Sequence, residues 1–277
     1  MKDFVKKHHL GQNFLTNRGV IASSIAKAAL TADDIVLEIG PGQRALTDAL
    51  LETPIKHLHL VEFDRTLAPW LEPLVSDRVS LHWADAVTFD YRLLSPQPTA
   101  VVANIPYHIT TPLIWRLLAH MAPLQLNRLV LLVQKEAADR LSAPPRTKTR
   151  YPLGVTLSAC GSCKTFMKVK AGSFNPPPKV DSALIEILIN NHQSLPSDLL
   201  WRSLLSHSFA ARRKTLIKSA SSGGWDKELL AQALSQLGLK PTIRAEELTT
   251  EHWLQLADSL KKACPSFPQP THKLEDA

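Results

Sequence analysis

The sequence predicts an α/β fold, a doubly wound parallel sheet followed by a small all-α domain. Two observations favour this class. Between residues 20 and 133, short apolar runs typical of buried strands alternate with stretches of helical spacing, and parallel strands need crossover connections of this kind. Residues 197–262 instead carry apolar residues at intervals of three and four, which is the spacing of helices.

Five strands are predicted in the first region. Each is a short run rich in leucine or β-branched residues that ends at a turn or a polar side chain. The predicted strands cover 35–39, 57–61, 79–83, 99–103 and 128–133. A further strand pattern covers 180–188. Ligands of doubly wound sheets bind outside the carboxyl ends of the strands, so the residues after these runs are site candidates.

Helices are predicted between the strands and throughout the last region. Pro69 and Pro73 are expected to shorten or kink the helix that contains them, because proline lacks the backbone donor and clashes with the preceding turn. The predicted helices begin near residue 20 and continue to 29, and then cover 46–51, 67–74, 112–120, 199–208, 215–220, 228–237 and 250–261.

The chain divides into four predicted segments. These are a basic arm (1–19), the α/β domain (20–190), the helical domain (197–262) and a tail (263–277). The tail is rich in proline and polar residues, and we expect it to be disordered. The boundary between the two domains falls in the polar stretch that begins at Asn190.

Composition excludes several classes of protein. A chain of 277 residues that is 44% hydrophobic and 21% charged is neither a disordered polymer nor a small disulfide scaffold. No apolar run approaches the ~20 residues of a membrane span, and the basic N-terminus lacks the apolar core of a signal peptide. Three cysteines do not make a secreted disulfide framework. We expect a cytoplasmic protein without membrane association.

Charge is unevenly distributed. The formal net charge is +7. Residues 22–100 carry eleven acidic side chains and six Lys or Arg, whereas residues 146–179 carry seven Lys or Arg and no acid. Such a region attracts a polyanion, because phosphate contacts release counterions. A generic solvated face is an equally good interpretation on charge alone.

The segment from Glu38 to Gly42 follows a strand and precedes a helix. Its glycines, Gly40 and Gly42, allow a ligand to approach the backbone closely. A dinucleotide site requires a third glycine, but Ala45 stands there. The segment resembles motif I of S-adenosyl-L-methionine (AdoMet)-dependent methyltransferases, although a purely structural turn remains an alternative.

Two carboxylates end the next two strands. Glu62 lies twenty residues after Gly42, where a carboxylate accepts hydrogen bonds from the ribose hydroxyls of an adenosine cofactor. Asp85 follows the third strand and is placed to accept from an adenine amino group. Solvated carboxylates are also common at strand ends, so neither residue decides the function.

The segment Asn104-Ile105-Pro106-Tyr107 is the most specific signal. The lone pair of adenine N6 is delocalised into the ring. If the Asn104 side-chain oxygen and a backbone carbonyl, such as that of Ile105, accept the two N6–H bonds, the lone pair turns towards a methyl donor. Pro106 stiffens the turn and Tyr107 offers a stacking face. The segment resembles the NIPY signature of RNA adenine N6-methyltransferases.

Taken together, the motifs resemble the small-subunit ribosomal RNA adenine dimethyltransferase family (the KsgA type) over roughly residues 6–262. The resemblance implies a Rossmann-like class I AdoMet methyltransferase domain followed by a helical rRNA-binding domain. The matching segments are 10–15, 38–42, 61–64, 104–107, 134–137, 174–183, 209–216 and 244–248.

This resemblance also implies the substrate, cofactor and partner. The substrate is two adjacent adenines in a hairpin loop of small-subunit rRNA, each of which receives two methyl groups. The partner is this rRNA or the pre-ribosomal small subunit, which suggests a role in ribosome biogenesis. The residues implied in binding AdoMet are Asn13, Leu15, Gly40, Gly42, Glu62, Asp85 and Asn104.

Further RNA contacts are predicted outside the motif. Phe174 is expected to face Tyr107 across the flipped base. Arg212, Arg213 and Lys214 form the densest basic triplet of the chain, and we interpret them as contacts to the rRNA backbone. Helix capping or pairing with glutamates is the alternative for this triplet.

Two features do not fit the pattern directly. Arg44 stands where the family has a small residue, and it either crowds or pairs with the carboxylate end of the cofactor; we expect AdoMet binding to survive. Cys160 and Cys163 form a C-x-x-C pair, but no second pair or histidine cluster accompanies them. We interpret them as free thiols at a helix end and expect no metal site.

Two other functions compete with the main prediction. One is a large-subunit rRNA adenine methyltransferase, which would share the sheet and the 104–107 motif but not the long helical domain that contains 244–248. The other is a non-catalytic RNA-binding or assembly factor, against which the intact 104–107 motif speaks. We expect a monomer, because every apolar stripe is accounted for by the predicted core.

Overall fold

The computed structural model describes residues 13–191, 195–263 and 266–271. The predicted arm up to residue 12, Cys264 and most of the predicted tail lie outside the described residues. The strands are β1 (Phe14–Leu15), β2 (Ile35–Ile39), β3 (His57–Glu62), β4 (Val79–Trp83), β5 (Ala100–Asn104), β6 (Arg128–Gln134), β7 (Gly161–Val169), β8 (Phe174–Asn175) and β9 (Ser182–Ile189).

Seven of these strands form one sheet in the order β4-β3-β2-β5-β6-β9-β7. The first five strands in that order are parallel, which confirms the predicted doubly wound arrangement. β9 is antiparallel to β6, and β7 is antiparallel to β9. The parallel arrangement therefore ends at β6, and the strand predicted at 180–188 joins the sheet in the opposite direction. The short strands β1 and β8 pair with each other outside the sheet.

Among the seven strands of the main sheet, β7 is the one that the sequence pattern did not predict. It lies at the edge of the sheet, and its side chains Lys164, Thr165 and Lys168 are exposed. Edge strands commonly carry lysine, which discourages pairing with other chains. These polar residues interrupt the apolar alternation by which a half-buried strand is recognised.

Helices cover both faces of the sheet. On one face of the sheet, Leu37 and Val101 belong to the same core cluster as Leu113 of α4. On the other face, Val36 and Leu58 belong to a second cluster, which includes residues of α1 and α2. The helices of this domain are α1 (Arg18–Ala28), α2 (Ala45–Leu51), α3 (Ala68–Leu71), α4 (Thr110–Met121), α5 (Lys135–Leu141) and α6 (Pro152–Cys160).

The prolines affect the third helix as predicted. α3 has only four residues, Pro69 lies in its first turn, and 3-10 turns precede and follow it. α5 and α6 were not predicted. α6 has no polar face to reveal it, because eight of its nine residues are buried and Ser158 alone is exposed.

The helical domain contains α7 (Leu199–Phe209), α8 (Leu216–Ser221), α9 (Lys227–Gln236) and α10 (Thr250–Ala263), each within two residues of the predicted bounds. Side chains of Asp198, Thr215 and Asp226 cap the first three of these helices, as short oxygen acceptors do at N-termini.

The two domains share a packed contact. Val155 and Ala159 of α6 belong to the core of the helical domain, and the Trp201 indole N–H donates to the Thr156 hydroxyl at 2.9 Å. The domain bounds themselves stay a prediction. No helix in the described ranges has both the length and the apolar character that a bilayer span requires.

Candidate active site

A cavity of about 830 Å³ opens at the carboxyl ends of the parallel strands. It brings together every residue predicted to bind the cofactor, the whole 104–107 motif and the predicted second aromatic residue. These lining residues are Asn13, Leu15, Gly40, Gly42, Glu62, Asp85, Asn104, Ile105, Pro106, Tyr107 and Phe174. The basic triplet does not line the cavity.

The turn between β2 and α2 forms one wall of the cavity. Gly40 and Gly42 have φ values of +65° and +55°, a region that non-glycine residues rarely occupy. A Cβ atom on Gly42 would lie 3.0 Å from the Phe14 ring. The turn therefore needs glycine at this position for its own conformation and for the space beside it.

Glu62 is a buried carboxylate, not a solvated one. Its Oε1 accepts the backbone N–H groups of Phe63 and Asp64, both at 2.8 Å, whereas the Gly42 N–H lies 3.4 Å from Oε2. Burial raises the pKa of Glu62 above its ordinary value, and these hydrogen bonds oppose that shift. The backbone thus fixes the orientation of a carboxylate whose Oε2 keeps capacity to accept.

Glu38 is a functional candidate for which the sequence suggested no role. It lines the cavity and is almost completely buried. Burial raises its pKa to about 8, and the charges of Glu62 and Asp48 add to the rise. Burial therefore favours the protonated form of Glu38, whose Oε2 is buried without a hydrogen-bond partner among the described residues. Its place at the start of the 38–42 segment is the sequence signal for it, although only the glycines of that segment were given a role.

Asp85 lies in the loop after β4 and is exposed. Its Oδ1 accepts the Val87 backbone N–H at 2.8 Å, which shapes the loop at the rim of the cavity. Its place agrees with a contact to the outer part of a bound nucleoside.

Asn104 ends β5, and its side chain is fixed by a distant part of the chain. The amide nitrogen Nδ2 donates to the Asn13 carbonyl at 3.2 Å. This bond uses the donor end of the amide, so Oδ1 is the end left to accept from a substrate. The next residue, Ile105, donates its backbone N–H to the Leu132 carbonyl at 3.2 Å.

Tyr107 follows the motif's proline, and its hydroxyl is 2.6 Å from the Ser182 hydroxyl of β9. Ser182 is fully buried and was not predicted. Burial raises the pKa of Tyr107. Phe174 is buried and lies opposite Leu15 in the β1–β8 pair. Both aromatic rings line the cavity, which brings two predicted stacking residues to one site.

Comparison with known proteins identifies the family. Residues 3–262 match the family described as ribosomal RNA adenine dimethylase. The chain belongs to this family.

Relatives of similar length support the assignment. The chain is 36% identical over 258 residues to the ribosomal RNA small subunit methyltransferase A of Syntrophotalea carbinolica, which covers 92% of this chain and 97% of the relative. It is 39% identical over 263 residues to the protein of the same name from Thermosynechococcus vestitus, with coverage of 92% and 97%.

Solved structures share the fold. A dimethyladenosine transferase from Plasmodium falciparum has a TM-score of 0.76 at 25% identity, covering 90% of this chain and 98% of that chain. The 23S rRNA methyltransferase ErmE has a TM-score of 0.66 at 24% identity, covering 90% and 100%. The likeness to ErmE shows a common fold.

Arg44 is the unusual residue of this adenine dimethylase. Its φ of +71° explains why a small residue suits the position. The guanidinium lies along α2, where it donates to Asp48 Oδ1 at 2.8 and 3.1 Å and to the Trp70 carbonyl at 3.4 Å. Arg44 does not line the cavity. These contacts direct its side chain away from the site instead of into it.

The basic triplet of the dimethylase lies in the turn after α7, and its three side chains are exposed. Arg212 donates to the backbone carbonyls of Lys148 and Arg150, the latter at 3.0 Å. Within the described ranges none of the triplet forms an ion pair with a glutamate. The alternative of glutamate pairing therefore has no support.

The two thiols differ from their prediction in one respect. Cys160 ends α6 as expected, but Cys163 lies in β7, so the helix-end interpretation was wrong for Cys163. Both cysteines are free, and burial raises the pKa of each thiol to about 12. Thiols of such high pKa are poor nucleophiles at neutral pH.

Proposed function

We propose that this protein uses AdoMet to dimethylate N6 of two adjacent adenines in a hairpin loop of small-subunit rRNA. The observation that carries the proposal is the Asn104 amide, whose donor end is bound by the Asn13 carbonyl inside the cavity. A fixed acceptor at the end of β5, beside an aromatic ring, is what the chemistry of an exocyclic amine requires.

The cavity fits a nucleoside-containing methyl donor. A Cβ would fill the space at Gly42, and the buried Glu62 carboxylate faces the same turn. In this proposal Glu62 accepts from the ribose hydroxyls, Asp85 contacts the adenine end, and the backbone of Gly40 lies against the amino acid end. When bound, AdoMet supplies an electrophilic methyl group on a sulfonium.

The target adenine needs acceptors, not a general base. Asn104 Oδ1 and the Ile105 carbonyl accept the two N6–H bonds, which favours a pyramidal nitrogen with its lone pair aimed at the methyl donor. Tyr107 and Phe174 stack on the base. An adenine in a loop must leave its stack to enter such a pocket.

The second methyl transfer uses the same residues. The first transfer leaves a positively charged nitrogen, which releases one proton to water. N6 then retains one hydrogen, and rotation about the C6–N6 bond presents the lone pair again. The pocket must then accommodate the methyl group already present. The Tyr107–Ser182 hydrogen bond keeps the ring in one position during both rounds.

The choice of ribosomal subunit rests on the relatives. The full-length relatives compared above are named small subunit methyltransferases, whereas ErmE, a 23S rRNA methyltransferase, shares the fold only at 24% identity. A large-subunit substrate is thus not favoured. Action in the cytoplasm and a role in small-subunit assembly belong to the proposal and follow from an rRNA substrate. A monomeric state is a separate part of the proposal and rests on the apolar stripes that the predicted core accounts for.

The test is methyl transfer to defined RNA. Purified protein is incubated with AdoMet and small ribosomal subunits that lack the modification, and rRNA nucleosides are analysed by mass spectrometry. We expect N6,N6-dimethyladenosine at two adjacent positions. Lys56→Gln is the matched surface variant and should be fully active, while Asn104→Ala should transfer no methyl. Dimethyladenosine only in large-subunit rRNA, or none with either subunit, would refute the proposal.

A further inference from the structure

The loop between α5 and α6, residues 142–151, lies against the helical domain. The backbone N–H of Arg146 donates to the Glu246 carbonyl at 2.8 Å. The buried Arg150 donates to the Thr250 hydroxyl at 3.3 Å and to the Ala143 carbonyl at 3.0 Å. The loop is thus attached to the second domain at its middle and near its end, and the Arg150–Ala143 hydrogen bond joins its two ends one residue inside the loop bounds.

Arg212 makes a further connection from the α7–α8 turn. Its guanidinium donates to the carbonyls of Lys148 and Arg150. Both hydrogen bonds leave from the same guanidinium nitrogen, Nη2, whose two hydrogens suit two neighbouring acceptors. Although Arg212 belongs to the basic triplet, part of its donor capacity is therefore used within the protein to position the loop.

The two segments that Arg212 joins carry four exposed cations. Arg146 and Lys148 of the loop are exposed, as are Arg213 and Lys214 of the turn. Within the ranges that the structure describes, none of these four side chains forms an ion pair with a carboxylate. Arg146 has a φ of +67°, an uncommon conformation for arginine that its bond to the Glu246 carbonyl helps to maintain.

The loop also leads towards the active site. The side chain of Tyr151, the last residue of the loop, is hydrogen-bonded to Thr111. Thr111 lies in the first turn of α4, which directly follows Tyr107 and the rest of the 107–109 turn. The cationic surface and the predicted base pocket are therefore connected through one short path in the protein.

We propose that loop 142–151 and the α7–α8 turn form one RNA-backbone-binding surface across both domains, in which Arg212 positions the loop and Arg146 and Lys148 contact phosphates. The inference rests on the proposed RNA substrate. It extends the predicted triplet contact into the first domain and changes the role of Arg212 from a phosphate contact to a positioning residue.

The test compares charge removals by the salt dependence of binding to unmodified small-subunit rRNA. The double variant Arg146→Gln with Lys148→Gln should weaken RNA binding roughly tenfold near physiological salt. The plot of log affinity against log salt should become less steep, by the amount expected for the loss of about two phosphate contacts. The matched control, Lys56→Gln with Lys240→Gln, removes two exposed charges elsewhere and should leave the slope unchanged. An unchanged slope in the loop variant would contradict the proposed RNA-binding surface.

Arg212 has its own test. Arg212→Lys keeps the charge but replaces the planar Nη2 donor with an ammonium group on a shorter side chain, so we expect it to weaken RNA binding nearly as much as Arg212→Ala. Adding Arg212→Lys to the loop variant should lower RNA affinity little further, because Arg212 acts on binding through the position of the loop. Wild-type binding by Arg212→Lys, or fully additive losses, would contradict a positioning role.

Two controls separate the possible failures. Calorimetric AdoMet binding checks that each variant is folded. Methyl transfer by the wild-type protein tests the proposed function independently. If the wild-type protein methylates rRNA while the loop variant binds with an unchanged slope, the inference fails and the proposed function stands.

Discussion

The Asn104 amide shows how one side chain acquires its chemical role from its neighbours. An asparagine amide has a donor end and an acceptor end, and rotation exchanges them. The Asn13 carbonyl binds the donor end at 3.2 Å. The acceptor end is then presented to the pocket without any further loss of side-chain freedom when a substrate binds.

Tyr107 provides the first prediction. Tyr107→Ala removes the stacking face, and we expect a loss of about 1–3 kcal/mol of transition-state stabilisation, measured as kcat/KM for methyl transfer. Tyr107→Phe keeps the ring and loses only the bond to Ser182, so its loss should be smaller. Near-normal turnover by Tyr107→Ala would contradict a stacking role for Tyr107 in the base pocket.

Arg44 provides the second prediction. Since its side chain contacts Asp48 and the Trp70 carbonyl, Arg44→Gly should change AdoMet affinity by less than about twofold. Titration calorimetry measures this directly. Absence of AdoMet binding to the wild-type protein, with binding restored in Arg44→Gly, would show instead that Arg44 disables the site.

At the scale of elements, the β2–α2 turn shows how local backbone shape produces a binding wall. The turn reverses direction within a few residues, which requires positive φ at Gly40 and Gly42. The β1–β8 pair brings Phe14 against this turn. The wall is therefore formed by two elements. Motifs mark the residues of both, but the pairing of β1 with β8 is not visible in them.

Gly42→Ala tests this wall. The substitution adds strain at φ +55° and places a Cβ 3.0 Å from Phe14. We expect AdoMet affinity to fall at least about tenfold. Gly238→Ala is the matched control, because Gly238 has a φ of +67° but no atom within 4 Å of the added Cβ. If both variants bind AdoMet equally well, the close approach of Phe14 to residue 42 does not contribute to AdoMet binding.

At the scale of the whole molecule, α6 joins the two domains. It is buried on nearly every side, with part of its surface in the core of the helical domain. Phe209 and Trp253 stack at a centroid distance of 5.8 Å within that core. Because α6 packs in both domains, their relative placement is determined by burial and not by the linker.

Glu38 gives a prediction for the stability of the whole molecule. Its pKa rises from an ordinary 4.5 to about 8, so the native state retains a proton that the unfolded state loses between these values. The contribution of Glu38 is fully present below pH 4.5 and is lost as the pH rises to 8, with a slope of up to about 1.4 kcal/mol per pH unit.

Glu38→Gln isolates this contribution. The free energy of unfolding is measured by denaturant titration at several pH values for both proteins. The buried histidines, whose pKa values are lowered by burial, titrate in both and cancel in the difference. The wild-type protein should lose stability relative to Glu38→Gln from pH 5 to 8. A difference that does not change with pH would contradict a protonated Glu38.

Much of the fold followed from patterns that extend over a few residues. The five parallel strands and the four C-terminal helices have strong apolar periods, and their bounds were predicted within about two residues. α5, α6 and β7 were missed for different reasons. α5 begins directly after β6 with no turn residue between them, α6 lacks a polar face, and β7 carries lysines at the sheet edge.

By itself the sequence determined the sheet, the motif at each strand end and the family resemblance, because hydrophobic period and turn chemistry are local properties. Only the tertiary structure decided the contacts that give these residues their roles. Asn13 and Asn104 are 91 residues apart, Tyr107 and Ser182 are 75, and Lys148 and Arg212 are 64. Such pairs arise from packing of whole elements, which no short stretch of sequence encodes.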